Sequence, residues 1–195
     1  NRIRSEVKSS AAGQVTSVVA DVRRPEQAQR LIESAVQQLG SLDILINNAG
    51  VGRFRPLSEL TIDDWLETFE TNLSGVFYCC RASIPVTRKG NGGWIVNVSS
   101  LAGKHPFAGG AAYCAAKAGL NALTESLMQE VRHDGIRVSC VLPGSVATEF
   151  AGNELSAGSW KLEAADVAQA IVDLLRHPLR SLPSRVEIRP STPRK

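Results

Sequence analysis

Short apolar runs alternate with longer amphipathic stretches along the chain, and this alternation limits the possible fold more than any other feature. Short, almost continuously apolar runs predict strands that are buried on both faces, and apolar residues at helical spacing predict the helices that cover them. Strands separated by helices form parallel sheets through right-handed crossovers. The sequence therefore predicts an α/β fold with a doubly wound parallel sheet, in a single domain spanning residues 1–195.

Each predicted element follows from this pattern. Strands are predicted at residues 15–20, 42–46, 94–98, 136–142 and 185–188. Helices are predicted at residues 26–39, 61–88, 111–131 and 165–175. Thr61 and Asp64 form a capping-box-like start to the second helix. Pro85 is expected to end or bend that helix, because proline cannot donate a backbone hydrogen bond.

Composition and charge exclude several classes of function. The chain has 195 residues, 43% of them hydrophobic, which is enough to bury a core. The formal net charge is only +3 and both signs are interspersed, so we expect no nucleic-acid partner. Arg189, Arg194 and Lys195 are interpreted as a solvated tail. No apolar run approaches the ~20 residues of a membrane-spanning helix, so we expect no membrane partner.

Cysteine and histidine positions give no pattern of a metal site. The four cysteines lack metal-ligand spacing, and His105, His133 and His177 are scattered. We therefore predict no metal. Buried thiols in a reducing compartment are the simplest interpretation of the cysteines, which predicts a cytoplasmic protein. These are Cys79, Cys80, Cys114 and Cys140.

Small or polar residues follow four of the predicted strands. They are Asp21-Val22, Asn47-Asn48-Ala49-Gly50, Ser99-Ser100 and Pro143-Gly144. In open parallel sheets, ligands bind outside the carboxyl ends of the strands. The sequence therefore predicts one crevice to which these four segments contribute.

Tyr113 and Lys117 are four residues apart on a predicted helix, which places a phenol and an ammonium on one face. A nearby cation stabilises the phenolate and brings its proton within reach of acid–base catalysis. The spacing alone is common and is usually incidental. Ser99 and Ser100 end a strand shortly before this helix, and a glycine-rich loop between them can bring a serine hydroxyl beside the phenol. Turn formation or capping is the alternative role for either serine.

These segments together resemble the short-chain dehydrogenase/reductase family. The resemblance rests on several motifs in the family's order: Asn47-Asn48-Ala49-Gly50, Asn72, the serine strand ending in Ser99-Ser100, Tyr113-Cys114-Ala115-Ala116-Lys117, and Pro143-Gly144 with Thr148. It implies a Rossmann-like fold and a nicotinamide-dependent oxidoreductase that interconverts a small-molecule carbonyl and an alcohol by hydride transfer.

The resemblance also implies roles for single residues. Ser100 would orient and polarise the substrate carbonyl, and Tyr113 would be the general acid in reduction and the general base in oxidation. Lys117 would lower the phenol pKa and bind the nicotinamide ribose. Asn72 would hold a water that extends a proton relay from Lys117. A structural amide that kinks its helix is the other interpretation of Asn72, and the two are compatible.

Cofactor contacts are implied at three places. Asp21 would contact the adenine with Val22 packing on it, and Asn48, Ala49 and Gly50 would let the backbone approach the cofactor. The nicotinamide end would be lined by Pro143, Gly144, Val146 and Thr148, with Tyr113 and Lys117 also in contact. Trp160 lies where the family has its substrate lid, as either a substrate wall or a lid anchor.

The family's first strand, glycine-rich turn, helix and second strand have no counterpart in this sequence. We expect the sheet to lack its first β-α-β unit, and we expect the chain to be a fragment with that unit upstream of Asn1. The cofactor is NADP or NAD. Arg2 or Arg4 lies near the position that selects between them and favours NADP.

Alternatives remain open at this stage. The chain is either an enzyme, a catalytically inert fragment, or a non-catalytic binding protein on the same fold; an epimerase or dehydratase relative would share the Tyr-Lys pair. The helices at 61–88 and 111–131 resemble those that pair in homodimers and homotetramers of the family. Several apolar residues on these helices serve either the core or an interface: Val76, Phe77, Leu120, Leu123 and Leu127.

Overall fold

The computed structural model describes residues 15–90, 92–152 and 160–192, and these residues form a four-stranded parallel sheet with flanking helices. The strands lie side by side in chain order: β1 (Ile44–Asn47), β2 (Gly93–Val98), β3 (Ile136–Pro143) and β4 (Arg185–Ile188). Every neighbouring pair is parallel, so the carboxyl ends of all four strands meet at one edge.

Five helices connect or flank the strands in the described residues. They are α1 (Pro25–Leu39), α2 (Ile62–Phe69), α3 (Gly75–Lys89), α4 (Ala111–Val131) and α5 (Ala164–Leu175). A π-helical turn, Glu70–Ser74, joins α2 to α3. The bounds predicted for α4 and β4 are confirmed, and those of α1, α5 and the other three strands are confirmed to within two residues.

Successive buried side chains of each strand point to opposite faces of the sheet, and helices pack against both faces. On one face, Ile95 belongs to a cluster with residues of α3, α4 and β3: Val76, Cys80, Leu120, Leu127, Val131, Ile136 and Val138. On the other face, Val96 belongs to a cluster with Val141 of β3 and with Ile171 and Leu174 of α5. This arrangement confirms the predicted doubly wound α/β fold.

The same clusters decide where the apolar residues of α3 and α4 lie. Val76, Leu120 and Leu127 are core residues, and Leu123 packs against them from a partly buried position. Phe77 instead points outward and is 44% exposed. Periodicity alone could not separate these roles, because one turn of helix brings both kinds of residue onto adjoining faces.

The strand predicted at residues 15–20 is wrong. These residues have no regular secondary structure, and the side chain of Val19 is fully exposed. A strand requires a neighbour for its backbone N–H and C=O groups. Among the described residues, the sheet begins at β1, which pairs only with β2, so no described strand lies beside residues 15–20.

The long helix predicted at residues 61–88 forms with one interruption. Thr61 caps it as predicted, because its side chain accepts a hydrogen bond from the Asp64 N–H at 3.0 Å. Pro85 does not end the helix, which continues to Lys89. The break lies at the π-helical turn Glu70–Ser74 instead, and its cause is described with the site below.

All four cysteines are buried free thiols, as predicted. Burial raises the pKa of Cys80 to about 12, so this thiol stays protonated at neutral pH. No helix in residues 15–90, 92–152 and 160–192 combines the length and apolar character that crossing a membrane requires. Arg2, Arg4, Arg194 and Lys195, which carried predictions above, lie outside the described residues.

A pair of glycine substitutions tests how β2 is held at its start. Gly92 and Gly40 both have positive φ, +97° and +89°. A Cβ at Gly92 would lie 2.3 Å from the Gly135 carbonyl oxygen, whereas a Cβ at Gly40 would meet nothing within 4 Å. We expect Gly40→Ala to lower the free energy of unfolding by about 1 kcal/mol through backbone strain. Gly92→Ala should lower it by roughly 3 kcal/mol, because the clash adds to that strain.

Urea denaturation of both variants measures these changes. Equal destabilisation by the two substitutions would contradict the close approach of Gly92 to Gly135.

Candidate active site

A cavity of about 1100 Å³ opens at the carboxyl ends of the strands, where the sequence predicted a crevice. It is lined by nine of the predicted site residues: Asn48, Gly50, Ser100, Tyr113, Lys117, Pro143, Gly144, Val146 and Thr148. The other four predicted residues, Asp21, Val22, Ala49 and Asn72, are not part of its lining. The topology therefore brings together residues from segments that are far apart in the sequence.

Lys117 links α4 to the end of β2 through hydrogen bonds. Its Nζ donates a hydrogen bond to the Val98 carbonyl oxygen at 2.8 Å, and the Ser99 hydroxyl donates to the Lys117 carbonyl oxygen at 3.3 Å. Gly103 lies so close to the helix that a Cβ there would be 2.8 Å from the Lys117 carbonyl oxygen. The helix, the strand end and the following turn therefore form one tightly packed unit.

Tyr113 lies one helical turn before Lys117 and faces the same cavity. The Lys117 Nζ lies 5.8 Å from the centre of the Tyr113 ring, and Ser100 lines the same cavity. Burial raises the pKa of the phenol, and the hydrogen bond with Ser100 opposes part of that increase. The phenol is therefore protonated at neutral pH and has a proton to donate.

The two adjacent serines make different contacts. Ser99 is buried and is used in the link to Lys117. Ser100 begins the turn at Leu101–Gly103, where its Oγ accepts a hydrogen bond from the Ala102 N–H at 3.1 Å. A hydroxyl that accepts still has its own proton to donate. Of the two serines, Ser100 is therefore the one that can both cap the turn and offer a proton beside Tyr113.

The ammonium of Lys117 is buried, and its side chain is only 4% exposed. Burial lowers the pKa of this group from 10.5 to about 8, because a charge loses its hydration inside the protein. The amine therefore remains mostly protonated at neutral pH. Two of its three N–H groups are not used by the bond to Val98.

Asn72 explains the π-helical turn between α2 and α3. Its Nδ2 donates to the Val51 carbonyl oxygen at 2.8 Å, and its Oδ1 accepts from the Val51 N–H at 2.9 Å. This pair of bonds ties the helix to the loop after β1 at the centre of Glu70–Ser74. A Cβ at Gly50 would lie 3.1 Å from the Asn72 Oδ1 and 3.9 Å from the Lys117 Nζ. The missing side chain of Gly50 thus leaves space between these two polar groups.

Three buried polar side chains that sequence reasoning missed align the strands with α4. The Asn47 Nδ2 donates to the Asn97 Oδ1 at 2.8 Å, and the Asn97 Nδ2 donates to the Thr124 Oγ1 at 2.9 Å. Buried amides are costly unless they are paired, so this row specifies which residues of β1, β2 and α4 lie opposite each other. A polar residue in a strand that is otherwise apolar, such as Asn97, was the available signal.

Asp21 and Val22 lie away from the cavity lining. Asp21 forms an ion pair with Arg23 at 2.8 Å, and the hydrogen bond from Arg23 holds the carboxyl pKa below its usual range. Val22 packs at the start of α3, where a Cβ at Gly75 would approach its side chain to 2.9 Å. The structure gives no cofactor contact that tests their predicted roles, which stay predictions, as does that of Ala49.

Several residues that line the cavity were not assigned to it from the sequence. Phe54, Phe107 and Phe150 form an aromatic wall beside Tyr113. Arg189, interpreted as part of a solvated tail, instead lines the cavity near His105 and pairs with Glu187 at 2.9 Å. The signal available was the position of these residues in loops that follow strand ends.

Trp160 also lines the cavity. Residues 153–159, which precede it, lie outside the described residues. Among the residues that the structure does describe, no three His, Cys, Asp or Glu side chains are grouped closely enough to hold a metal ion.

The sequence model of the short chain dehydrogenase family matches residues 1–158 of this chain. The chain belongs to the short-chain dehydrogenase family. It is therefore an oxidoreductase of that family, as the motifs predicted.

Three known proteins show how similar this chain is to others in sequence and in structure. A 3-oxoacyl-[acyl-carrier-protein] reductase of Synechocystis is 34% identical over 141 residues, which are 72% of this chain and 57% of that protein. A metagenomic short-chain oxidoreductase, solved in complex with NADP, is 33% identical with a TM-score of 0.82, covering 97% of this chain and 79% of that one. An alcohol dehydrogenase of Thermococcus sibiricus has the same fold, with a TM-score of 0.92 at 24% identity, covering 100% of this chain and 82% of that one.

The buried ammonium makes stability depend on pH in a defined direction. Because the pKa of Lys117 is lowered from 10.5 to about 8 in the fold, the unfolded chain binds more protons between these values, and stability rises with pH there. Relative to Lys117→Met, we expect the free energy of unfolding of the wild type to increase by about 3 kcal/mol between about pH 7 and about pH 11.

Urea denaturation of both proteins at a series of pH values measures this difference. The contributions of other titrating groups to the free energy of unfolding cancel in it. Lys89→Met, at an exposed lysine, is the matched control for replacing a lysine by methionine. A difference between wild type and Lys117→Met that does not vary with pH would contradict the burial of a protonated amine.

Proposed function

We propose that this protein interconverts a carbonyl and an alcohol with a nicotinamide cofactor, using Tyr113 as the general acid and base. The observation that carries this proposal is the phenol of Tyr113, which lines one cavity together with Ser100 and the Lys117 ammonium. Phenol, hydroxyl and ammonium are the groups that a carbonyl oxygen needs as its charge develops.

A nicotinamide cofactor, when bound in this cavity, would supply the hydride for reduction of a carbonyl carbon. As the carbon–oxygen double bond becomes single, negative charge develops on the oxygen. Ser100 donates a hydrogen bond to that oxygen, and Tyr113 transfers its proton to it, which leaves a phenolate and a neutral alcohol. The raised pKa keeps Tyr113 protonated at neutral pH, which is the form that donates, and it runs against the lowering by Lys117 that the resemblance implied.

Lys117 stabilises the phenolate that the proton transfer creates. Its charge lies on the same helical face as the phenol and is shielded from water by its burial, which strengthens the electrostatic interaction. After reduction, the Tyr113 phenolate regains its proton through Lys117, which is resupplied from a water that Asn72 holds in the space beside Gly50. The two distances from a Cβ at Gly50 support room for such a water.

The residues present fit a nicotinamide cofactor. A side chain at Gly50 would fill the space next to Lys117, and Gly144 also lines the cavity. We propose that the unused N–H groups of Lys117 hold the ribose hydroxyls and that the backbone at Asn48 and Gly50 approaches the cofactor. We propose further that the nicotinamide end lies against four other residues of the cavity lining: Pro143, Gly144, Val146 and Thr148.

NADP is the cofactor we favour over NAD. The metagenomic relative that is 33% identical was solved with NADP, and a basic residue at position 2 or 4 would suit the extra phosphate. Activity measured with NADPH and NADH at equal concentrations distinguishes the two.

The substrate is a carbonyl compound, and the name of the Synechocystis relative suggests one specific class, a 3-oxoacyl thioester. Its ketone would meet Tyr113 and Ser100 as any other carbonyl would. The cavity wall, rather than the proton-transfer groups, must then select among substrates.

Assembly and location complete the proposal. We propose a homodimer or homotetramer, supported by apolar side chains that are exposed on α2, with Ile62 at 74% and Leu66 at 47% exposure. We keep the cytoplasm as the proposed compartment, because four free buried thiols suit reducing conditions.

Tyr113→Phe tests the mechanism, because it removes the proton and keeps the ring. We expect kcat/KM for aldehyde reduction to fall by about a hundred- to ten-thousand-fold, while NADPH binding, followed by cofactor fluorescence, is unchanged. Tyr78→Phe is the matched control, since Tyr78 is the only other tyrosine in the sequence and lies on α3, outside the cavity lining.

Full activity in Tyr113→Phe would remove the assigned role. Cofactor binding without turnover of any carbonyl by the wild type would instead favour a non-catalytic binding protein on this fold.

A further inference from the structure

Four aromatic rings meet on one side of the cavity. The Phe54 ring stands edge-on to Tyr113, with ring centres 5.4 Å apart and planes at 89°. Phe107 lies 5.5 Å from Phe54, and Phe150 lies 5.6 Å from Tyr113. The ring that carries the reactive phenol is therefore itself a member of this aromatic wall.

Phe54 and Phe107 lie on two loops that are joined to each other. The Arg55 N–H donates to the Gly109 carbonyl oxygen at 2.9 Å, which fixes the loop after β1 to the loop before α4. Glycines make room for the rings on both loops. A Cβ at Gly52 would lie 2.7 Å from the Phe150 ring, and a Cβ at Gly110 would lie 2.7 Å from the Phe107 ring.

Two rings of this wall, Phe54 and Phe107, remain open to solvent. Phe54 is 42% exposed and Phe107 is 47% exposed, although both line the cavity, whereas Tyr113 is 9% exposed. Apolar surface inside a concave site is stabilised when a ligand covers it. A substituent on a carbonyl held by Tyr113 and Ser100 would lie against these exposed faces.

We propose that the cavity selects carbonyl compounds whose carbonyl carbon bears an aromatic ring, and that Phe54 and Phe107 determine this specificity. The inference rests on the proposed function, because Tyr113 must hold the carbonyl for the ring to reach the wall. The edge-on arrangement of Phe54 and Tyr113 leaves ring faces and edges available for a further aromatic partner.

An aromatic substituent is favoured over a straight acyl chain for a physical reason. A chain gains only from the area that it buries, whereas a ring also gains from offset or edge-to-face contacts with other rings.

Benzaldehyde and heptanal, which have the same number of carbon atoms, test the proposal with NADPH at saturation. We expect the wild type to favour benzaldehyde in kcat/KM. Phe54→Leu and Phe107→Leu should each lower the benzaldehyde-to-heptanal ratio by about three- to tenfold, because leucine keeps the apolar area but removes the ring contacts. Phe69→Leu is the control, since Phe69 stacks on Trp65 and does not line the cavity.

A ratio of rates within one enzyme preparation is insensitive to the fraction that is folded. Ratios that stay at the wild-type value in both variants overturn the inference and leave the proposed function intact. Absence of turnover with both aldehydes overturns the proposed function and the inference with it.

Saturation-transfer NMR gives a readout besides activity. Transfer from the protein to the benzaldehyde ring protons should weaken in Phe54→Leu and Phe107→Leu, and equal transfer in all variants would overturn the inference.

Discussion

The hydrogen bond from the Lys117 ammonium to the Val98 carbonyl oxygen, 2.8 Å long, is the contact on which the rest of the site depends. It joins the middle of α4 to the end of β2 and thereby sets how close the helix lies to the strand. Tyr113 is one turn away on that helix, and Ser100 is two residues beyond that strand end. If α4 moved along β2 or away from it, the Tyr113 phenol and the Ser100 hydroxyl would separate.

The surrounding structure keeps this contact in place through polar groups that are fully paired. The row of Asn47, Asn97 and Thr124 aligns β1, β2 and α4, and Asn72 ties the π-helical turn to Val51. Breaking one of these bonds would leave a buried polar group without a partner, which costs about 1–3 kcal/mol. The site is thus held rigid by the same interactions that specify the register of the fold.

Local patterns in the sequence were enough to predict most elements, since the ends of α4 and β4 follow from apolar periodicity and the residues that bound it. Tyr113, Lys117 and Ser100 were singled out by the ordered set of motifs that resembles the family, and the structure places them at one cavity. Their roles in proton transfer stay predictions. Features set by distant partners could not be predicted in this way. The π-helical turn depends on Val51, which is 21 residues from Asn72 in sequence. The aromatic wall depends on a hydrogen bond between Arg55 and Gly109, and the strand expected at residues 15–20 has no described neighbour to pair with.

The central claim is that the Tyr113 phenol is buried at the cavity that Ser100 and Lys117 also line, and titration of that phenol tests it most directly. Tyrosine labelled at the ring carbon that bears the hydroxyl gives two NMR signals, since the sequence has two tyrosines. We predict that the Tyr113 signal titrates above the ordinary pKa of about 10, and that its pKa rises further in Ser100→Ala because a hydrogen bond that lowers it is lost. A Tyr113 signal that titrates near the ordinary pKa and does not respond to Ser100→Ala would contradict the account.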